Sequence, residues 1–171
     1  MKPLSYILAI LITLIMGVVV LYLALGVGIN RISFAFWINW LLMFWAYALH
    51  RTGAVNFPEV YFRVRPFERR LYRLLGVRYF QRVLRYVSVF NRDIRLRGGK
   101  KDLVRLEKAM RGAEQAHAMI FAIVSGFTLY ALFRGWWTVA FWYFLFNMLF
   151  NGYPVMVQRF NRRRIKGLLR G

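Results

Sequence analysis

The residues from Leu4 to Ile29 carry no charged side chain. A helix of that length rises about 39 Å at ~1.5 Å per residue, enough to cross a hydrocarbon layer of ~30 Å with some tilt. The apolar region of a secretory signal peptide is shorter, about 7–15 residues, and ends in a small-residue cleavage site. This run is too long for that, and a second one follows almost at once. A mature membrane helix is therefore expected. Ile32 to Leu49 is again uncharged and carries Trp37, Trp40 and Trp45. A third run, Ala118 to Phe133, gains length from the helix leading into it. A fourth, Trp136 to Val157, opens on Trp136-Trp137, as an aromatic belt at the water boundary would. The fold class predicted is all-α: one polytopic membrane domain over 1–171. Its four spans lie at about 4–29, 32–49, 116–133 and 136–157.

Charge is segregated from these runs. The chain has 26 Lys+Arg against 6 Asp+Glu, and all six acids fall between spans two and three. So do 17 of the 26 basic residues, from Arg51 to Arg111, and six more follow span four. Arg31 and Arg134 lie in the very short loops of the opposite side. The positive-inside rule then puts both termini and the central segment, 50–115, in the cytoplasm. A disordered basic tail is excluded by the 60% hydrophobic content, and a soluble nucleic-acid binder would not need 16 Phe and 6 Trp. No nucleic-acid recognition motif is present. With no cysteine, disulfides, thiolate metal sites and Cys nucleophiles are ruled out.

The central segment interleaves aromatic residues with arginine. Phe67 to Phe90 predicts two short amphipathic helices broken at Gly76. Phe67, Leu71, Leu74 and Leu75 share one side of the first; Tyr79, Phe80, Val83, Leu84 and Val87 share one side of the second. Such helices lie in the membrane interface with arginines toward anionic headgroups. Asn91 to Lys101 reads as a turn with Gly98-Gly99 at its tip. From Asp102, expected as an N-cap, a helix with a Glu107–Arg111 pair runs into span three.

Chemistry-bearing residues are few. The two histidines bracket the cytoplasmic segment: His50 ends span two and His117 begins span three. Glu114 and His117 stand at i,i+3 on one helix face, so the carboxylate could orient an imidazole acting as general base. The bland alternative is an interfacial His beside a solvated Glu. A di-iron site needs a second Glu-x-x-His, and Tyr47 stands three residues before His50. The His-x4-Asp of glycerolipid acyltransferases is missing, with Val55 and Ala122 at the required positions. No metal and no resident cofactor is expected. Asn147 and Asn151, then Gly152 and Pro154, suit either helix packing or a polar wall facing a site at the cytoplasmic leaflet. The following run, Gln158 to Arg164, contains amides that a pure charge anchor does not need.

That run carries a family resemblance. Asn151-Gly152-Tyr153-Pro154, then Gln158-Arg159-Phe160-Asn161-Arg162 and Arg164, resembles the C-terminal signature of the glycosyl-4,4'-diaponeurosporenoate acyltransferases. Ala113-Glu114-Gln115-Ala116-His117 is similar to that family's Ala-Glu-x-x-His. The block from Phe67-Glu68 through Val77-Arg78 to Leu84 resembles its aromatic and basic middle block. The likeness runs from about Phe57 to Arg170. The middle block departs where the family has a Leu-Pro-Asp-Gly-like turn, since Arg85-Tyr86-Val87 follows Leu84 here.

The resemblance implies a bacterial inner-membrane enzyme esterifying a fatty acyl group onto a sugar hydroxyl of a glycosylated carotenoid or similar glycolipid. His117 would take the alcohol proton while Glu114 holds the ring. Arg159, Arg162 and Arg164 with Asn161, beside Gln158 and Asn151, would bind the acyl donor, acyl-CoA or another, or the developing oxyanion. The competing expectation is a non-enzymatic accessory subunit or lipid-binding scaffold of a larger membrane complex. It draws on the aromatic spans and the scarcity of acids and histidines.

Overall fold

The computed structural model describes residues 3–65, 67–86 and 99–170, and all regular structure among them is helical. Helix α1 (Pro3–Leu23) closes in a π-helical turn, Ala24–Gly28. Helix α2 (Ile32–Thr52) is stopped by Gly53, whose φ of 67° is left-handed and whose N–H reaches the His50 carbonyl. Then come α3 (Glu68–Leu74), α4 (Val77–Tyr86), the long α5 (Lys100–Phe133) and α6 (Trp137–Asn147). A second π-helical turn, Met148–Gly152, leads into α7 (Tyr153–Arg170).

The chain divides into two compact units. The first comprises Met1–Asn56 and Ala116–Gly152; the second comprises Phe57–Gln115 and Tyr153–Gly171. Within the first unit α2 supplies most of the core, with Phe34, Ala35, Ile38, Leu42 and Ala46 buried beside Ile120, Val124 and Tyr143. Phe34 packs against Phe127 and Tyr143, which stack on each other with ring centroids 5.9 Å apart. Trp45 donates to Thr13 at 3.2 Å, and Tyr143 donates to the Ile29 carbonyl at 2.9 Å. Along α1 one face, with Ala9, Ile12, Met16, Val20 and Leu23, packs on the core, while leucine, isoleucine and valine point outward over the rest of its surface. An uncharged helix with so broad an apolar surface left outward belongs in hydrocarbon.

Among the described residues, three stretches are long and apolar enough to cross a membrane: Pro3–Gly28, Ile32–Thr52 and Lys100–Phe133. They match the first three expected spans. The stretch expected as the fourth is not one uniform helix: α6 has 11 residues and the π-turn five before α7 begins. The cause is local. Pro154 has no N–H to offer the Phe150 carbonyl, so the α-helical hydrogen-bond ladder cannot pass through this point unbroken.

In the second unit the break at Gly76 stands where the sequence sets it, with φ at 65° and its N–H on the Arg73 carbonyl. The inward residues of α3 and α4 are Glu68, Tyr72, Val77 and Gln81. Phe67, Leu71, Leu74, Tyr79 and Val83 are exposed. The expected continuation to Phe90 and nearly all of the Asn91–Lys101 turn lie outside the described residues. Asp102 is not the N-cap. Helix α5 starts at Lys100, and the Asp102 carboxylate reaches back to accept from the Gly99 N–H, as the third helical residue of a capping box does. Arg111 pairs with Glu107 as its spacing requires, at 2.8 Å.

Candidate active site

Two polar clusters occupy the interior, one in each unit. The cluster of the first unit is built from amides. Asn39 on α2 donates to the Ala35 carbonyl, which fixes its side-chain oxygen toward Asn151. Asn147 donates to the Phe121 carbonyl at 2.9 Å and to Ser125 Oγ at 3.2 Å, so its oxygen also faces Asn151. The Asn151 Nδ2 lies 2.7 Å from the Asn39 oxygen and 3.0 Å from that of Asn147. Both its hydrogens are thereby committed. Its own Oδ1 can only accept, and it stands 3.3 Å from Nδ1 of His117. The Phe150 backbone, whose carbonyl Pro154 leaves without an α-helical partner, is the ring's second hydrogen-bonding neighbour. All three asparagines are buried, while the imidazole is only partly so.

The sequence therefore leaves its mark on the protonation of the ring. A chain of amides, each with one settled orientation, ends on an acceptor at Nδ1. In neutral imidazole that puts the proton on Nδ1 and the basic lone pair on Nε2. The π-turn matters here because it re-aims Asn151, and π-turns inside helices recur at functional sites. Asn39 is the member that the spacing arguments missed. The signal was available, since a buried amide in an apolar span must find a partner.

The cluster of the second unit is ionic. Glu114 is fully buried on α5 and gives one oxygen to Arg159, at 2.8 Å, and the other to Arg162. Arg162 is also fully buried; it reaches Glu107 at 3.3 Å and donates to the Phe62 carbonyl at 2.7 Å. Its guanidinium lies over the Phe62 ring, 5.1 Å from the centroid. Arg159 grips Glu68 with two parallel hydrogen bonds, 2.8 and 2.9 Å, and donates to the carbonyls of Tyr61 and Arg63. The hydrogen-bonded Glu68 pushes the Arg159 guanidinium further up in pKa; burial opposes this, and the charge of Glu114 adds to it. Burial alone would raise Glu68. Hydrogen bonds from Arg159, the Arg65 N–H and Tyr72 outweigh that and hold it below the usual carboxylate range.

The expected site residues thus fall into distinct surroundings. Glu114, Arg159 and Arg162 come together, but as a saturated ion-pair network. Both Glu114 oxygens go to arginines, and the neighbour of His117 Nδ1 is Asn151. Asn161 is buried and accepts from Gln81 at 2.6 Å, tying α7 to α4. Gln158 is partly buried on α7, and Arg164 is exposed there. His50 is exposed at the end of α2. Among the described residues no group of three or more His, Asp or Glu side chains could hold a metal ion.

The model of the glycosyl-4,4'-diaponeurosporenoate acyltransferase family matches residues 58–171. The chain belongs to this family. The match takes in the whole described second unit from Pro58, and α5, α6 with Asn147 and the π-turn with Asn151, while α1, α2 and Asn39 lie outside it. No curated protein and no solved structure matches the chain. Family membership and the apolar helices together make this a membrane protein, in a family named for acyl transfer to a glycosylated carotenoid.

Proposed function

We propose that the protein transfers a fatty acyl group to a sugar hydroxyl of a glycosylated carotenoid, with His117 as general base and Asn151 as the residue that holds the ring. The observation that carries this reading is the amide chain Asn39–Asn151–Asn147 ending on His117 Nδ1. In the neutral tautomer that an acceptor at Nδ1 favours, Nε2 is the nitrogen that would take up a proton. The hydroxyl oxygen attacks the acyl carbonyl carbon, and its proton passes to Nε2. The tetrahedral intermediate then expels the donor's leaving group, a thiolate if the donor is a thioester, which takes the proton back from the imidazolium. An Asn in place of an acidic partner is chemically sufficient, as Cys-His-Asn sites illustrate. No metal or resident cofactor is required by these steps.

The membrane setting follows the charge. Four spans, the fourth being α6 with its π-turn and the start of α7, put both termini on the cytoplasmic side of the bacterial inner membrane. The outward apolar residues of α3 and α4 rest in the interface, and the exposed Arg70 and Arg73 of α3 meet anionic headgroups. Acyl transfer should be measured in membranes, with variants expressed at matched levels. His117→Ala is expected to lose about 10²–10⁴-fold, the usual contribution of base catalysis. If that variant stays folded and keeps most of its activity, the base assignment fails and a lipid-binding scaffold explains the chain better.

A further inference from the structure

Among the described residues, some arginines hold carboxylates and others hold none. In the second unit a cavity of about 580 Å³ is lined by Arg78 and Arg82 of α4, by Arg163 and Arg164 of α7, and by Gln81 and Phe160. That volume lies in the range of small-molecule sites, about 300–1,000 Å³. Among the described residues, none of the four arginines has a carboxylate within ion-pair distance, unlike Arg111, Arg159 and Arg162. Arg78 and Arg82 stand at i,i+4, where like charges repel, and Arg163 and Arg164 are adjacent. Four guanidinium groups around one concavity are an arrangement that an anion relieves.

The walls are fixed in advance. Gln81 donates to Asn161 at 2.6 Å through the buried seam of α4 and α7, which holds the two arginine pairs opposite one another. Arg78 lies over the Phe160 ring, 5.8 Å from its centroid. Planar guanidinium forks match phosphate oxygens two at a time, which a set of lysines would not do.

We propose that this cavity is a binding site for phosphate groups, filled by the phosphates of a nucleotide-bearing acyl donor of the coenzyme A class. The same chemistry would recognise an anionic lipid headgroup, so the experiment separates the two. That the phosphate belongs to a donor rests on the acyl-transfer reading; that the cavity binds phosphate does not, because binding needs no turnover.

The full chain is placed in phosphatidylcholine nanodiscs and titrated calorimetrically with coenzyme A. Arg82→Gln and Arg164→Gln are each expected to weaken binding at least about tenfold, the effect of losing one charge-assisted hydrogen bond. The charge-matched control Lys108→Gln, on the exposed side of α5, should bind as wild type does. A parallel arm measures enrichment of fluorescent phosphatidylglycerol around the same proteins. Loss confined to that arm assigns the cavity to a headgroup and removes the donor. No binding in either arm, or equal weakening by the control, overturns the site. His117→Ala should bind coenzyme A normally, so a failure of the catalytic base and a failure of this site are read separately.

Discussion

Replacing Arg162 by methionine leaves Glu114 buried with one of its two guanidinium partners gone. Breaking a buried ion pair from one side typically costs about 3–5 kcal/mol, because the remaining charge cannot return to water. Both side chains are fully buried here, so a large drop in melting temperature is expected for R162M in detergent. The double variant E114L/R162M should recover much of that loss, since no charge is then stranded. If the double variant melts lower than the single one by the full additive amount, the two groups are not coupled. Glu68 gives a second test at this scale. Its carboxyl is held below its unfolded value, so the stability it contributes is present above the ordinary carboxylate range and disappears as pH falls through the lowered folded value. Wild type should therefore be more stable than Glu68→Gln at neutral pH. The gap should narrow on acidification, measured as melting temperature against pH. A constant gap would mean that the Glu68 charge contributes nothing.

The elements were legible to different degrees for physical reasons. Uncharged runs mark α1, α2 and the membrane part of α5, because a charge at the centre of a span costs about 2.5–3.5 kcal/mol. Gly76 marks the α3–α4 break because only glycine takes φ of 65° without strain. The interruption before Pro154 was written in the sequence, but a run of apolar residues hides a change of hydrogen-bond pattern. Glu114, Arg159 and Arg162 were singled out, yet which carboxylate each guanidinium finds depends on residues some 45 to 100 positions away, beyond any local spacing. The pairing that local spacing did suggest, Glu114 with the His117 ring, is the one that loses to these distant partners. The π-turn itself can be tested with Pro154→Ala. An amide at 154 can bond the Phe150 carbonyl and return the segment to α-helical winding, which turns Asn151 away from His117 Nδ1. The expected result is unchanged or higher thermal stability with acyl transfer reduced at least about tenfold. Full activity in this variant would show that the π-turn does not position the asparagine.

At the scale of the whole molecule the charge distribution decides how the chain meets a bilayer. On the four-span reading proposed above, the central 17 basic residues and the six after Val157 lie on one face of the membrane, with Arg31 and Arg134 in the short loops of the other. That requires an even number of crossings between the central segment and the C-terminus: α5 out, and the α6, π-turn and α7 stretch back. The returning stretch is the weak point, because it is the one the helix lengths do not by themselves mark as a span. It remains long enough: the residues from Trp136 to Val157 rise roughly 33 Å at ~1.5 Å per residue. Its buried asparagines have their hydrogen-bonding partners inside the first unit, so they do not meet lipid unpaired. Reporter fusions placed after Arg134 and after Gly171 should therefore report opposite sides of the membrane, the second cytoplasmic. Fusions that report the same side would mean that the returning stretch lies along the membrane, and the Gln158–Arg164 run would then sit on the face away from the central arginines.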